Sequence, residues 1–355
     1  MTHPYAQFGD VHFWNRSVAG AAPALVPYDP APKFRFALGV DRFATAGSCF
    51  AQHFGRELVA RGGQLLLAED RHPLIPESAD HGYGVFSARY GNIYNPSQLK
   101  ELFEQALGVR APIFELHRRA DGRWVDMLRP RAVPVGFSSE GDARADRGYH
   151  LRRVKHLIET SSVLVFTLGL TEAWRNHRDG YTYGICPGVI AGEFDAAIHG
   201  FVNLGYEDCR TDLGAALDLA WTCNPHLKVL LTVSPVMLIA TAEPRGVLQS
   251  SIASKAILRA VADDCARRLA QVDYFPAFEI ITGPQARGRF FDEAGRDVTQ
   301  EGVTLVMDTF FRSRVLDHDT APDAVPEAID WEARRREVQA AVGADCDEIL
   351  LDRQD

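Results

Sequence analysis

The sequence lacks the features that mark a chain for nucleic acid or for a membrane. Its 355 residues carry 38 Lys and Arg against 47 Asp and Glu, a formal charge of −9. A duplex or an anionic lipid surface needs a dense basic footprint, so we expect no nucleic-acid partner. The longest apolar runs, 163–170 and 229–242, fall short of the roughly 18 residues that cross a bilayer. We therefore expect no membrane span.

Paired cysteines and familiar catalytic signatures are also missing. The six cysteines are scattered, with no Cys-x-x-Cys pair and no histidines at ligand spacing. This pattern argues against a disulfide framework and a structural zinc site. There is no phosphate-binding loop, no His-Glu-x-x-His and no Gly-x-Gly-x-x-Gly. Since the N-terminus also lacks a secretory leader, we expect a reduced, cytoplasmic protein without metal or cofactor.

The apolar segments predict a parallel sheet covered by helices. Residues 42–46, 162–167 and 228–233 are short runs rich in Val, Leu and Ala that do not alternate with polar residues. Such strands are typical of a sheet buried on both faces. Helical periodicity follows at 50–61, 96–107 and 251–270. We predict one doubly wound α/β domain.

The chain divides into three parts on composition. Residues 1–40 predict an extended N-terminal arm, residues 41–315 the α/β domain, and residues 316–355 an acidic helical tail. Two loop insertions interrupt the domain, at 111–147 with a hairpin-like Asp-Gly pair and at 175–206 with many Gly, Tyr and Asp residues.

The junction after the first predicted strand carries the main chemical signal. Gly47 permits a sharp turn, and Ser48 follows it directly at the start of a helix. There its N–H and the helix dipole face the place where an oxyanion would form. Ser is also a common helix N-cap, and Cys49 would be a rival nucleophile because a helix N-terminus lowers a thiol pKa. The segment alone leaves these readings open.

Five stretches extend this signal into a family resemblance. Residues 47–51 spell Gly-Ser-Cys-Phe-Ala, and YGVFSARYGNIYNPSQL (83–99), FTLGLTEAW (166–174), LLTVSPV (230–236) and VDYFPAFEIITGP (272–284) follow in order. Together they resemble the GSCFA family, a branch similar to the SGNH (GDSL-like) hydrolases. The resemblance implies a three-layer α/β/α sandwich with a mostly parallel sheet.

The resemblance also implies roles for individual residues. Ser48 matches the nucleophile of SGNH enzymes, and Gly91 matches the glycine whose N–H holds the oxyanion. Asn92 beside it offers an amide donor. Thr171 stands where those enzymes have the oxyanion-hole Asn, so its hydroxyl is an alternative donor.

The general base departs from the SGNH pattern. Those enzymes use Asp-x-x-His near the C-terminus, whereas the corresponding segment here, 297–300, reads Asp-Val-Thr-Gln. A Ser needs a base to become a good nucleophile. His53 on the helix after Ser48 is the first substitute, with His177 and His81 as alternatives.

Residues at the end of the third stretch, where we expect the strand at 162–167 to lead into a loop, are candidates for substrate binding. Glu172 is suited to a sugar hydroxyl and Trp174 to stacking on a sugar ring, with His177 close behind in a polar loop.

We therefore expect a cofactor-free, serine-dependent esterase whose substrate is a small-molecule or glycan ester. Acyl transfer at the same site is one alternative. A non-catalytic glycan- or protein-binding member that has lost its base is the other.

Overall fold

The computed structural model describes residues 3–71, 81–316, 336–338 and 350–351. Its strands are β1 (Arg42–Gly47), β2 (Gln64–Leu65), β3 (Leu116–Arg118), β4 (Trp124–Asp126), β5 (Val163–Leu168), β6 (Glu172–Asn176), β7 (Tyr181–Tyr183), β8 (His199–Asn203), β9 (Lys228–Val233) and β10 (Val272–Tyr274). Its α-helices are α1 (Trp14–Ser17), α2 (Phe50–Ala60), α3 (Pro96–Ala106), α4 (Glu140–Thr160), α5 (Tyr206–Cys223), α6 (Val247–Arg268), α7 (Ala277–Thr282) and α8 (Gln300–Arg314).

The centre of the fold is a five-stranded sheet in the order β10-β9-β5-β1-β2. Every neighbouring pair in it is parallel. From β1 the chain crosses through α2 to β2 on one side, and it returns through α4 to β5 on the other. The predicted doubly wound parallel sheet is confirmed.

Alternate strand residues supply two separate cores. Phe43, Val165 and Leu230 pack in one cluster with apolar side chains of α2, α7 and α8. Their strand neighbours, such as Phe166 and Leu231, pack in a second cluster with α3, α4, α5 and α6. Because side chains alternate across a strand, this division places helices on both faces, and the α/β/α sandwich is confirmed.

The two insertions form small sheets of their own. β3 and β4 pair as an antiparallel hairpin around the Asp-Gly turn. In the second insertion β6 lies between β7 and β8 in an antiparallel sheet. The expectation that Glu172 and Trp174 lie in a loop is wrong, since both are on β6. Their partner strand β8 is distant in sequence, so local pattern does not reveal the pairing.

The N-terminal arm is held to the end of the last described long helix. Phe36 pairs with Val315 beside the main sheet, and Arg314 forms ion pairs with Asp29 and Asp273, each at 2.7 Å. The predicted acidic tail lies largely outside the described residues. Within the described part of the chain, no helix has the length and apolar character needed to cross a membrane.

Candidate functional site

The candidate site lies where the winding of the sheet reverses. Gly47 at the carboxyl end of β1 pairs with Thr167 near the carboxyl end of β5, and the crossovers from these two strands leave in opposite directions. Ligands of open α/β sheets bind in the crevice at this switch point. Ser48 is the first residue beyond it.

A glycine is required immediately before Ser48. Gly47 has φ +138°, and a Cβ there would lie 2.4 Å from the carbonyl oxygen of Thr167. No other residue fits this approach without moving the strand. The turn leads directly into α2, and the Ser48 N–H donates to the Thr167 carbonyl across 3.2 Å.

The Ser48 hydroxyl is buried but makes no internal hydrogen bond. The residue is 3% exposed, and its Oγ has no hydrogen-bond partner in the described part of the chain. The Ser48 side chain does not cap α2. The N-cap residue of that helix is Cys49, and no side chain forms a capping hydrogen bond there. A buried hydroxyl without a partner costs about 1–3 kcal/mol. Such a group is a candidate for a role outside folding.

The loop that carries Gly91 and Asn92 is fixed beside Ser48. The N–H of Ile93 donates to the carbonyl of Gly47 across 2.8 Å. Gly91 adopts φ +71°, and Asn92 is 6% exposed. The structure thus brings both predicted oxyanion donors to the end of β1.

Two other predicted oxyanion donors already form hydrogen bonds within the protein. The Thr171 hydroxyl donates to Asn203 Oδ1 across 2.7 Å, and its N–H donates to Ser254 Oγ. The Ser48 N–H is held by Thr167, as described above. The other two predicted donors, Gly91 and Asn92, belong to the loop that is bonded to Gly47.

His53 lies on α2 with its ring partly buried beside Phe50, the two ring centres 6.1 Å apart. Burial and the nearby Arg56 guanidinium lower the His53 pKa, while the carboxylates of Glu57 and Asp297 act in the opposite direction. Asp297 belongs to the loop before α8, in the segment that resembles Asp-x-x-His. Since Ser48 Oγ has no partner among the described residues, His53 does not reach it by a direct hydrogen bond.

A cavity of about 230 Å³ adjoins this site. Its wall includes Tyr94, Leu170 and Leu238, and Cys49 packs against these same three side chains. Glu172 and Trp174 line the cavity as well. Tyr94 was not singled out in the sequence, although it stands in the stretch 83–99.

The structure brings Glu172 and Trp174 to one cavity but not His177, the third residue predicted for substrate binding. Glu172 already accepts hydrogen bonds from the Thr241 hydroxyl (2.6 Å) and the Ala242 N–H (3.2 Å). His177 is exposed over Gly200 and is absent from the described cavity wall. The carbonyl of His81 accepts from Arg89 Nε, next to a different group of charges.

That group is a buried ionic cluster which the sequence analysis missed. Its members come from the segment between β2 and α3, from the first insertion and from helix α4: Glu69, Arg89, Asp126, Arg129, Asp146, Arg147 and His150. Burial alone would raise the pKa of Glu69, but His150, Arg129 and Arg89 lower that pKa to about 2. Burial and Arg129 lower the pKa of His150 to about 4. The only sequence signal was the Arg- and Pro-rich run at 128–134.

The described residues contain no group of three or more His, Cys, Asp or Glu side chains placed to hold a metal ion.

No curated protein and no solved structure matches the chain. The model of the GSCFA family matches residues 42–310, well over half of the sequence and all of the central sheet. The chain belongs to the GSCFA family.

Proposed function

We propose that this protein is a serine-dependent acyl hydrolase of the SGNH type with Ser48 as nucleophile. The observation that carries the proposal is the buried Ser48 hydroxyl, which has no partner among the described residues and lies at the switch point of the sheet. Folding alone favours an alanine there, because a buried polar group without a partner destabilises the native state.

In the proposed reaction Ser48 Oγ attacks the carbonyl carbon of an ester. The carbonyl oxygen becomes an oxyanion, for which the Asn92 amide and the Gly91 N–H are the donors. Collapse of this intermediate breaks the ester C–O bond, and the alcohol leaves with the proton taken from Ser48. Water then attacks the acyl-enzyme and releases the acid, restoring the Ser48 hydroxyl.

His53 is the proposed proton carrier, acting through one bridging water. Burial and Arg56 lower its pKa, so at neutral pH the ring is uncharged and able to accept the Ser48 proton. Asp297 would stabilise the imidazolium that forms, as the acid of a triad does. In this arrangement the acid, Asp297, comes from the segment that resembles Asp-x-x-His, whereas the histidine, His53, comes from α2.

A non-catalytic binding protein is the second candidate. The observation in its favour is Gln300, the first residue of α8, which occupies the position of the SGNH histidine. A glutamine side chain cannot accept and return a proton at neutral pH.

Covalent labelling separates the two candidates. We expect a fluorophosphonate probe to label the full-length protein on the peptide that contains Ser48. Ser48→Ala should abolish labelling and lower ester turnover by at least about 10³-fold, with an unchanged or slightly higher free energy of unfolding. Cys49→Ala is the matched control and should retain labelling. Labelling that persists in Ser48→Ala and disappears in Cys49→Ala would identify the thiol as nucleophile. Absence of labelling and turnover in the wild type would favour the binding protein.

The base is tested by the pH dependence of turnover. Because the His53 pKa is lowered from 6.5, kcat/KM should rise with pH to a plateau whose midpoint lies below 6.5. His53→Gln should lower kcat by about 10²–10⁴-fold, whereas His156→Gln, on the exposed face of α4, should not. An unchanged rate in His53→Gln would assign the base to another group.

A further inference from the structure

The cavity near Ser48 has a mostly apolar wall. Its apolar part includes Tyr94, Leu170, Trp174, Phe201, Leu238 and Ala240. We propose that this cavity binds the hydrocarbon chain of a medium-length acyl group while Ser48 acts on the ester at its end. The proposal rests on the proposed function of Ser48.

The polar side chains of the wall that could bind a sugar already have hydrogen-bond partners within the protein. The carboxylate of Glu172 accepts from Thr241 and from the Ala242 N–H, and the Tyr183 hydroxyl lies 3.2 Å from Glu115 Oε1. Burial raises the pKa of the Cys186 thiol to about 11, so it is uncharged at neutral pH. A sugar would have to break these bonds or leave its own hydroxyls without partners.

The aromatic residues of the wall are packed against each other rather than presented for stacking. Trp174 meets Phe201 and Phe194 edge-on, with ring centres 5.7 and 5.3 Å apart. Such a surface offers dispersion contacts and burial to a hydrocarbon chain.

Ser48 does not line the cavity itself but lies next to Tyr94, which does. A Cβ on Gly169 would lie 3.0 Å from Ser48 Cβ and 3.0 Å from Tyr94 Cδ1, so the side chains of Ser48 and Tyr94 are both next to Gly169. Tyr94 and Leu170 continue from that point into the cavity wall. An acyl chain in the cavity would therefore extend away from a carbonyl held at Ser48.

The volume sets the length of the chain. A cavity of about 150 Å³ takes up benzene, and in proportion the 230 Å³ here holds about nine carbon atoms. Shorter chains bury less surface, and longer chains must leave the cavity.

The first test is a series of p-nitrophenyl esters from acetyl to dodecanoyl with the full-length protein. We expect kcat/KM to rise roughly fourfold per methylene up to about the octanoyl ester and then to fall. Ala240→Trp, which fills the cavity, should move the optimum to butanoyl or shorter. The matched control is Ala120→Trp on the exposed β3–β4 turn, which should keep the wild-type profile.

The second test does not depend on catalysis. Calorimetric titration of Ser48→Ala should show octanoate bound at least about a hundredfold more tightly than acetate, with the difference lost in the Ser48→Ala, Ala240→Trp double variant. Equal binding of the two acids, or a rate series that peaks at acetyl, overturns the acyl-chain proposal while Ser48 labelling still supports the hydrolase. Selective octanoate binding without labelling supports the cavity and refutes the hydrolase.

Discussion

Replacing Gly169 with alanine would introduce a methyl group between the two central parts of the site. The new Cβ would lie 3.0 Å from Ser48 Cβ, 3.0 Å from Tyr94 Cδ1 and 3.1 Å from the Tyr94 carbonyl oxygen. Ordinary contacts begin at 3.4 Å, so each neighbour must move by a few tenths of an ångström.

Both neighbours are held in place. The Tyr94 carbonyl accepts the N–H groups of Gly169 and Leu170, at 2.7 and 3.1 Å. Ser48 follows Gly47, which has no room to move against Thr167. Overpacking a rigid site typically costs about 1–3 kcal/mol, and we expect Gly169→Ala to fall in the upper half of that range.

Urea unfolding measures this effect directly. The midpoint should fall at an unchanged m-value, and fluorophosphonate labelling should slow by about 10²-fold as Ser48 is displaced. Gly214→Ala is the matched control, since a Cβ there meets no atom within 4 Å and alanine is favoured in the middle of α5 by up to about 1 kcal/mol. A Gly169→Ala protein with the stability and labelling rate of the wild type would refute the contact geometry of Ser48, Gly169 and Tyr94.

Arg314→Met should lower the free energy of unfolding by about 3–5 kcal/mol in urea, because Asp29 and Asp273 lose their buried cation; a loss below about 1 kcal/mol would contradict the ion-pair assignment. For His150, burial and Arg129 lower the pKa from 6.5 to about 4, so the neutral ring stabilises the fold above pH 6.5 and this stability is lost as the pH falls toward 4. His150→Gln should flatten the dependence of unfolding free energy on pH in that interval, and an unchanged slope would assign the acid sensitivity to other groups.

The central layer of the fold was predictable because its strands are short, fully buried apolar runs. β1, β5 and β9 were expected within one or two residues of their observed bounds. β6 was not, since its burial follows no simple alternation and its pairing with β8 is a non-local contact.

The candidate site also combines features that local sequence predicts with features that depend on tertiary contacts. Ser48 is identifiable from a local pattern of strand, glycine and helix start. The proximity of His53 to Asp297 arises from the packing of α8 beside α2, and the engagement of the Thr171 hydroxyl depends on Asn203 of β8. No spacing within the sequence encodes those tertiary contacts.

The pairing of Phe36 with Val315 has a consequence for synthesis on the ribosome. Phe36 donates to the carbonyl of Arg314 and accepts from Leu316, and its ring stacks on Phe310. A nascent chain emerging at about 5–20 residues per second must wait roughly a quarter of a minute to a minute before these partners appear. During that interval Phe36 and Phe43, which are fully buried in the finished protein, lack some of the residues against which they finally pack. Translation speed and chaperone access over this stretch should therefore influence how much of the protein reaches its native state.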